Sequence, residues 1–138
     1  MVALYIDDDE EDVEFFVEAI KTIDPACSCV TAVNGRDGLK TLEAVTPDII
    51  FLDINMPVLN GKETLRLLKS STRFHKIPVF MISTSKNPDE ISICTQLGAN
   101  DFIIKPNTFS ELCKTLERIF ESQKQTSIDS NSDAFNLS

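Results

Sequence analysis

Five short apolar runs, each followed by a segment with helical periodicity, restrict the fold of this sequence more than any other feature. The runs are mostly continuous, as is typical of strands that are buried on both faces of a sheet. The segments between them carry apolar residues at helical spacing, as at Val13, Phe16, Val17 and Ile20. Strands joined by helix-length connections run parallel, with right-handed crossovers. The predicted strands are residues 2–6, 29–33, 49–52, 79–82 and 102–104.

This repeated β-α order predicts an α/β fold in which helices cover both faces of a doubly wound, five-stranded parallel sheet. The flavodoxin-like strand order 2-1-3-4-5 is the common arrangement of this kind, and its switch point lies between strands 1 and 3. Those two strands end at Asp7-Asp8 and at Asp53. Since ligands of such sheets bind at the carboxyl edge near the switch point, we expect these acids to share one cleft.

The length and charge of the chain restrict its organisation and its partners. The 138 residues indicate one domain over 1–121, followed by a tail at 122–138 whose Ser, Gln, Asn and Asp content predicts disorder. A net charge of -9 argues against direct DNA binding, because no basic patch offsets it. No apolar run approaches the roughly 20 residues that span a bilayer, and no signal peptide is visible. We therefore expect a cytoplasmic protein without a membrane partner.

Polar side chains also follow the fourth and fifth predicted strands, where Ser83 and Lys105 stand. Two carboxylates about 4 Å apart repel by roughly 4 kcal/mol at an effective dielectric of 20, so either one takes up a proton or a divalent cation neutralises them. Oxygen ligands of this kind suit Mg²⁺. A carboxylate can also attack phosphorus, and Mg²⁺, a lysine and a hydroxyl can stabilise the charge on the transferred group. The set therefore predicts phosphoryl transfer to an aspartate.

Four segments at these strand ends form a recognisable pattern. They are LYIDD at 4–8, PDIIFLDINMP at 47–57, MIST at 81–84 and GANDFIIKP at 98–106. Together they resemble the receiver domains of two-component response regulators, of the single-domain, chemotaxis-regulator-like kind. The resemblance covers residues 1 to about 121, and it implies a signalling phosphoacceptor rather than an enzyme.

The resemblance implies a role for each residue at the acidic end of the site. Asp53 would be the phosphoacceptor. Asp8 and Asp53 would bind Mg²⁺ through their carboxylates, Asn55 through its backbone carbonyl, and Asp7 mainly through water. Asn55 and Ser85 would tune the rate at which water removes the phosphoryl group.

The resemblance also implies a switch at the other end of the site. Ser83 would be the switch hydroxyl, Lys105 would contact the phosphoryl oxygens, and Phe102 would be the aromatic switch residue. The peptide bond between Lys105 and Pro106 resembles one that is usually cis, an arrangement that proline makes accessible.

The implied partners are a sensor histidine kinase or phosphotransfer protein and a downstream protein target, with a homodimer as a further candidate. Two other functions stay open at this point. A receiver-like binding module would signal without phosphorylation, although such modules usually lose an acid or the lysine. A Mg²⁺-dependent phosphohydrolase would need a second acid two residues after the nucleophile, where this chain has Asn55.

Overall fold

Five parallel strands form one sheet in the computed structural model, which describes residues 1–136, with side-chain surroundings as far as residue 125. The strand order is 2-1-3-4-5, which confirms the predicted flavodoxin-like topology. The predicted strands agree with the observed ones to within one residue at each end. The strands are β1 (Val2–Ile6), β2 (Ser28–Ala32), β3 (Ile49–Asp53), β4 (Val79–Ser83) and β5 (Asp101–Ile104).

Side chains that accept hydrogen bonds from backbone N–H groups mark the starts of four helices. Asp9, Asn34, Asn60 and Asn87 each accept from an N–H in the first turn of the helix that follows. These bonds satisfy donors that have no partner inside the helix, so they fix where each helix begins. The helices are α1 (Glu10–Ile23), α2 (Gly35–Thr41), α3 (Gly61–Ser70), α4 (Pro88–Gln96) and α5 (Phe109–Asn136).

Two apolar layers cover the two faces of the sheet. On one face, α1 and α5 pack against side chains that include Tyr5 and Phe51. The ring of Phe16 in α1 stacks on Tyr5, with 4.0 Å between the ring centroids. On the other face, helices α2 to α4 pack against Leu4 and Leu52. Because β1 and β3 are covered on both sides, their carboxyl ends open only at the edge of the sheet.

The fifth helix is longer than the sequence predicts. The sequence predicts a disordered tail at 122–138, whereas α5 continues to Asn136. Residues 122–138 contain neither Gly nor Pro, the residues that end helices most effectively, so no strong stop signal follows residue 121. The domain boundary at residue 121 stays a prediction, and residues 137–138 lie outside the described part of the chain.

Candidate phosphorylation and metal site

Four of the predicted site residues stand at one edge of the sheet. Asp7 directly follows β1, and Lys105 directly follows β5. Asp53 and Ser83 are the last residues of β3 and β4, so the sheet itself holds their backbones in place. Since β1, β3, β4 and β5 are consecutive neighbours in the sheet, the four residues lie along one edge, where Lys105 contacts both Asp7 and Asp53.

Three carboxylates form a cluster at this edge. Asp7, Asp8 and Asp53 each offer one oxygen, and these oxygens all lie within 4.8 Å of one another. Asp7 and Asp53 are buried, whereas Asp8 is exposed. Charges this close repel strongly unless a cation or a proton neutralises them. The all-oxygen donor set fits a hard divalent cation such as Mg²⁺, with the exposed side open to its waters.

The crowding of carboxylates changes the pKa of Asp53. Burial, followed by the negative charge of Asp7, raises the pKa of Asp53 to about 7 from an ordinary value of 3.8. Asp8 raises the pKa further, while the ammonium of Lys105 lowers it. Without a cation, Asp53 is therefore only partly ionised near neutral pH.

The ammonium of Lys105 lies among the carboxylates. Its Nζ is 3.0 Å from Asp7, 3.7 Å from Asp53 and 2.7 Å from Asp12, a residue in the first turn of α1. Burial alone would lower the pKa of Lys105, but the hydrogen bond to Asp12 and the charges of Asp53 and Asp7 raise it overall. Lys105 therefore stays positively charged within the site.

Two residues of this site, Asp12 and Tyr5, are not among those predicted from the sequence. Besides Asp12, the hydroxyl of Tyr5 donates a hydrogen bond to Asp7. Burial, together with the charge of Asp7, raises the pKa of Tyr5, so the phenol keeps its proton. Alternation along a strand places residues 5 and 7 on the same side, and this spacing was the available signal for Tyr5. The signal for Asp12 was its position in the first turn of α1, a helix that begins three residues after Asp7.

The hydroxyl of Ser83 is part of a chain of hydrogen bonds that leads to α4. The Ser83 side chain is fully buried, and its Oγ accepts from the backbone N–H of Ser85 at 3.1 Å. The hydroxyl of Ser85 accepts from the N–H of Asn87 at 3.2 Å, and Asn87 caps α4. A displacement of Ser83 would therefore disturb the start of α4.

The remaining predicted residues lie around this centre. Asn55 is exposed in the connection that follows β3. The ring of Phe102 is partly buried and packs against the apolar layer on the α4 side of the sheet. The peptide bond between Lys105 and Pro106 differs from the expectation, because no cis bond occurs among the described residues. A trans bond is readily accommodated, since the two isomers before proline differ by only about 0.5–1 kcal/mol.

A family profile described as "Response regulator receiver domain" matches residues 3–117 of the chain. The chain belongs to this family. The receiver is 32% identical over 115 residues to a probable C4-dicarboxylate response regulator of Bacillus subtilis (strain 168). That alignment covers 83% of this chain and 50% of the relative, so the receiver spans only half the length of this curated protein.

Solved structures of response regulators share the fold over most of this receiver. The phosphorylated cyanobacterial phytochrome response regulator RcpA is 30% identical with a TM-score of 0.83, covering 91% of this chain and 94% of that one. The Mn²⁺-bound form of response regulator Rcp1 is 26% identical with a TM-score of 0.77, covering 86% and 90% of the two chains.

Family, fold and site agree on the kind of protein. As a receiver domain, the chain is a signalling phosphoacceptor rather than a catalytic enzyme. The cluster of Asp7, Asp8 and Asp53 is typical of the metal site of receivers. None of the helices in the described part of the chain is long and apolar enough to cross a membrane.

Proposed function

We propose that this protein is cytoplasmic and that Asp53 accepts a phosphoryl group from a sensor histidine kinase or phosphotransfer protein, in a Mg²⁺-dependent reaction. The observation that carries this proposal is the position of Asp53. Its side chain is buried at the switch point, within 4.8 Å of two further carboxylates and 3.7 Å from an ammonium group. A buried carboxylate this close to two others is stabilised by any partner that neutralises or delocalises its negative charge.

The contacts of Asp7 support a division of labour among the acids. Its Oδ2 accepts from the Tyr5 hydroxyl and from Lys105, and its Oδ1 accepts from the N–H of Asp9. These donors leave Asp8 and Asp53 better placed for direct metal ligation, with Asp7 acting through water. We propose the backbone carbonyl of Asn55 as a further ligand. When bound, Mg²⁺ would supply positive charge to the phosphoryl oxygens.

In the proposed reaction, an Asp53 carboxylate oxygen attacks the phosphorus of a phosphohistidine. The new O–P bond forms as the N–P bond breaks, and the donor imidazole leaves with the bonding electron pair. Lys105 would contact the phosphoryl oxygens, and the Ser83 hydroxyl would donate a hydrogen bond to one of them. Hydrolysis of the acyl phosphate by water would end the signal, at a rate tuned by Asn55 and Ser85.

The signal would leave the site through the hydrogen bonds of Ser83. The Ser83 Oγ accepts from the N–H of Ser85, so a shift of this oxygen toward the phosphoryl group would stretch that bond and disturb the start of α4. Phe102 packs on the same side of the sheet and would respond to that change. We propose that a downstream protein, or a second copy of the chain, reads this altered surface.

Intact mass tests the proposal directly. The protein is incubated with acetyl phosphate and Mg²⁺ and measured under conditions that preserve acyl phosphates. We expect the wild-type protein to gain the mass of one phosphoryl group and the Asp53→Asn variant to gain none. Asp48→Asn is a matched control, because Asp48 stands just before β3, at the opposite edge of the sheet.

Two outcomes would reject this function. If the wild-type protein gained no mass, the receiver-like binding module that signals without phosphorylation would become the better description. If Asp53→Asn gained the same mass as wild type, another residue would be the acceptor.

A further inference from the structure

Asp12 holds the ammonium group of Lys105 more closely than any acid of the metal cluster does. The Nζ atom of Lys105 lies 2.7 Å from Asp12 Oδ2, compared with 3.0 Å from Asp7. Both contacts are hydrogen bonds, whereas the 3.7 Å separation from Asp53 is an ion pair without one. Lys105 therefore makes its hydrogen bonds with Asp12 and Asp7 in this structure, and its contact with the proposed phosphoacceptor is a longer ion pair.

The start of α1 fixes Asp12 in this position. The side chain of Asp9 caps the helix and accepts from the N–H of Asp12 at 3.1 Å. The N–H of Asp9 in turn donates to Asp7 at 3.0 Å, which ties the helix start to the metal cluster. Lys105 itself is anchored by its backbone N–H, which donates to the carbonyl of Ser83 at 2.8 Å.

We propose that Asp12 competes with the phosphoryl group on Asp53 for Lys105, and that it thereby lowers the rate and extent of phosphorylation. The inference rests on the proposed function, in which Lys105 contacts the phosphoryl oxygens. Asp12 is a positioning residue, since it acts on the phosphoryl group only through Lys105.

The exposure of the two side chains sets the size of the expected effect. The side chain of Asp12 is 40% exposed and that of Lys105 only 15%. A partly solvated, charge-assisted pair of this kind shifts an equilibrium by about three- to tenfold, between the values for exposed and buried pairs. The phosphoryl group carries more negative charge than the carboxylate, so it can still win the competition.

Three variants separate this effect from a general change in charge. Asp12→Asn removes the negative charge but keeps the size of the side chain, and Asp12→Glu keeps a carboxylate at this position. Glu11→Gln is the matched control, because it removes one charge from the same helix turn. Glu11 is exposed and forms no ion pair with Lys105 within the described part of the chain.

Two measurements are made on each variant. The first is the ¹⁵N NMR signal of the Lys105 ammonium in metal-free protein, followed during a titration with beryllofluoride and Mg²⁺. The second is the rate of phosphorylation by acetyl phosphate. We expect Asp12→Asn to shift the ammonium signal before any addition. We also expect it to lower the beryllofluoride midpoint and raise the phosphorylation rate, each about three- to tenfold relative to Glu11→Gln.

The Asp12→Glu variant should stay close to wild type in both measurements. If Asp12→Asn matched Glu11→Gln in midpoint and rate while wild-type protein was phosphorylated normally, the competition would be disproved and the proposed function would stand. If wild-type protein gained no phosphoryl group, both would fail together.

Discussion

Replacing Asp53 with Asn should make the metal-free protein more stable, although it removes the proposed functional group. Asp53 is only 6% exposed, and its pKa is raised from 3.8 to about 7, first by burial and then by Asp7. A difference of about three pKa units corresponds to about 4 kcal/mol. The folded state binds the Asp53 proton more tightly than the unfolded state does. The protonated carboxyl group therefore contributes to the unfolding free energy in full below about pH 4, and this contribution is lost as the pH rises to about 7.

Asparagine cannot ionise, so Asp53→Asn should escape this loss. We expect its advantage in unfolding free energy to be near zero at about pH 4 and to approach about 4 kcal/mol at about pH 8. Urea unfolding followed by circular dichroism, in the presence of a chelator, measures the difference at both pH values. The same measurement on Asp48→Asn shows what the loss of one carboxylate does at the opposite edge of the sheet, away from the cluster.

Adding Mg²⁺ is a second test of the repulsion between these carboxylates. It should stabilise wild-type protein by binding the folded state, and it should stabilise Asp53→Asn much less. An Asp53→Asn protein that is less stable than wild type at about pH 8 in chelator would refute the argument that crowding of the carboxylates destabilises the empty site.

Three further substitutions test the surroundings of the site. A Cβ at Gly61 would stand 2.2 Å from the backbone oxygen of Asp53, so Gly61→Ala should lower the unfolding free energy by about 1–3 kcal/mol in urea unfolding. Val58 is 66% exposed and has a φ of 70°, a left-handed conformation that strains a valine and that asparagine adopts more readily. Val58→Asn should therefore raise the unfolding free energy by about 1 kcal/mol, and a decrease would show that Val58 is not strained. Tyr5→Phe should cost about 1–2 kcal/mol at neutral pH, because the buried Asp7 loses a donor. Burial and the charge of Asp7 raise the pKa of Tyr5, so the unfolding free energy of wild type should fall more steeply above about pH 10 than that of Tyr5→Phe. If the two unfolding free energies fell equally with pH, the result would count against this hydrogen bond.

The fold could be predicted from the sequence because its signals are local and repeated. Each strand is a continuous apolar run, and each helix that follows has its own periodicity. The acids at Asp7 and Asp53 could be placed together because parallel strands carry their carboxyl ends to the same edge of the sheet. The sequence predicts disorder after residue 121, whereas α5 continues to Asn136, because low apolar content does not stop a helix when Gly and Pro are absent.

The site could be predicted only as far as strand ends define it. Which acid holds Lys105 depends on the side-chain conformations of Asp12 and Lys105 and on the height of α1 above the sheet. These are properties of packing between residues 93 positions apart, and no local pattern encodes them. The same holds for the bond from Tyr5 to Asp7, for which strand alternation gave a position but not a partner.

The position of the phosphoryl group in the chain decides whether Asp53 is the phosphoacceptor. After reaction with acetyl phosphate and Mg²⁺, the protein is reduced with borohydride, which converts an aspartyl phosphate to homoserine, and its peptides are sequenced by mass spectrometry. We expect homoserine at position 53 and none at Asp7, Asp8 or Asp12. Homoserine at one of those three positions, with Asp53 unchanged, would contradict it.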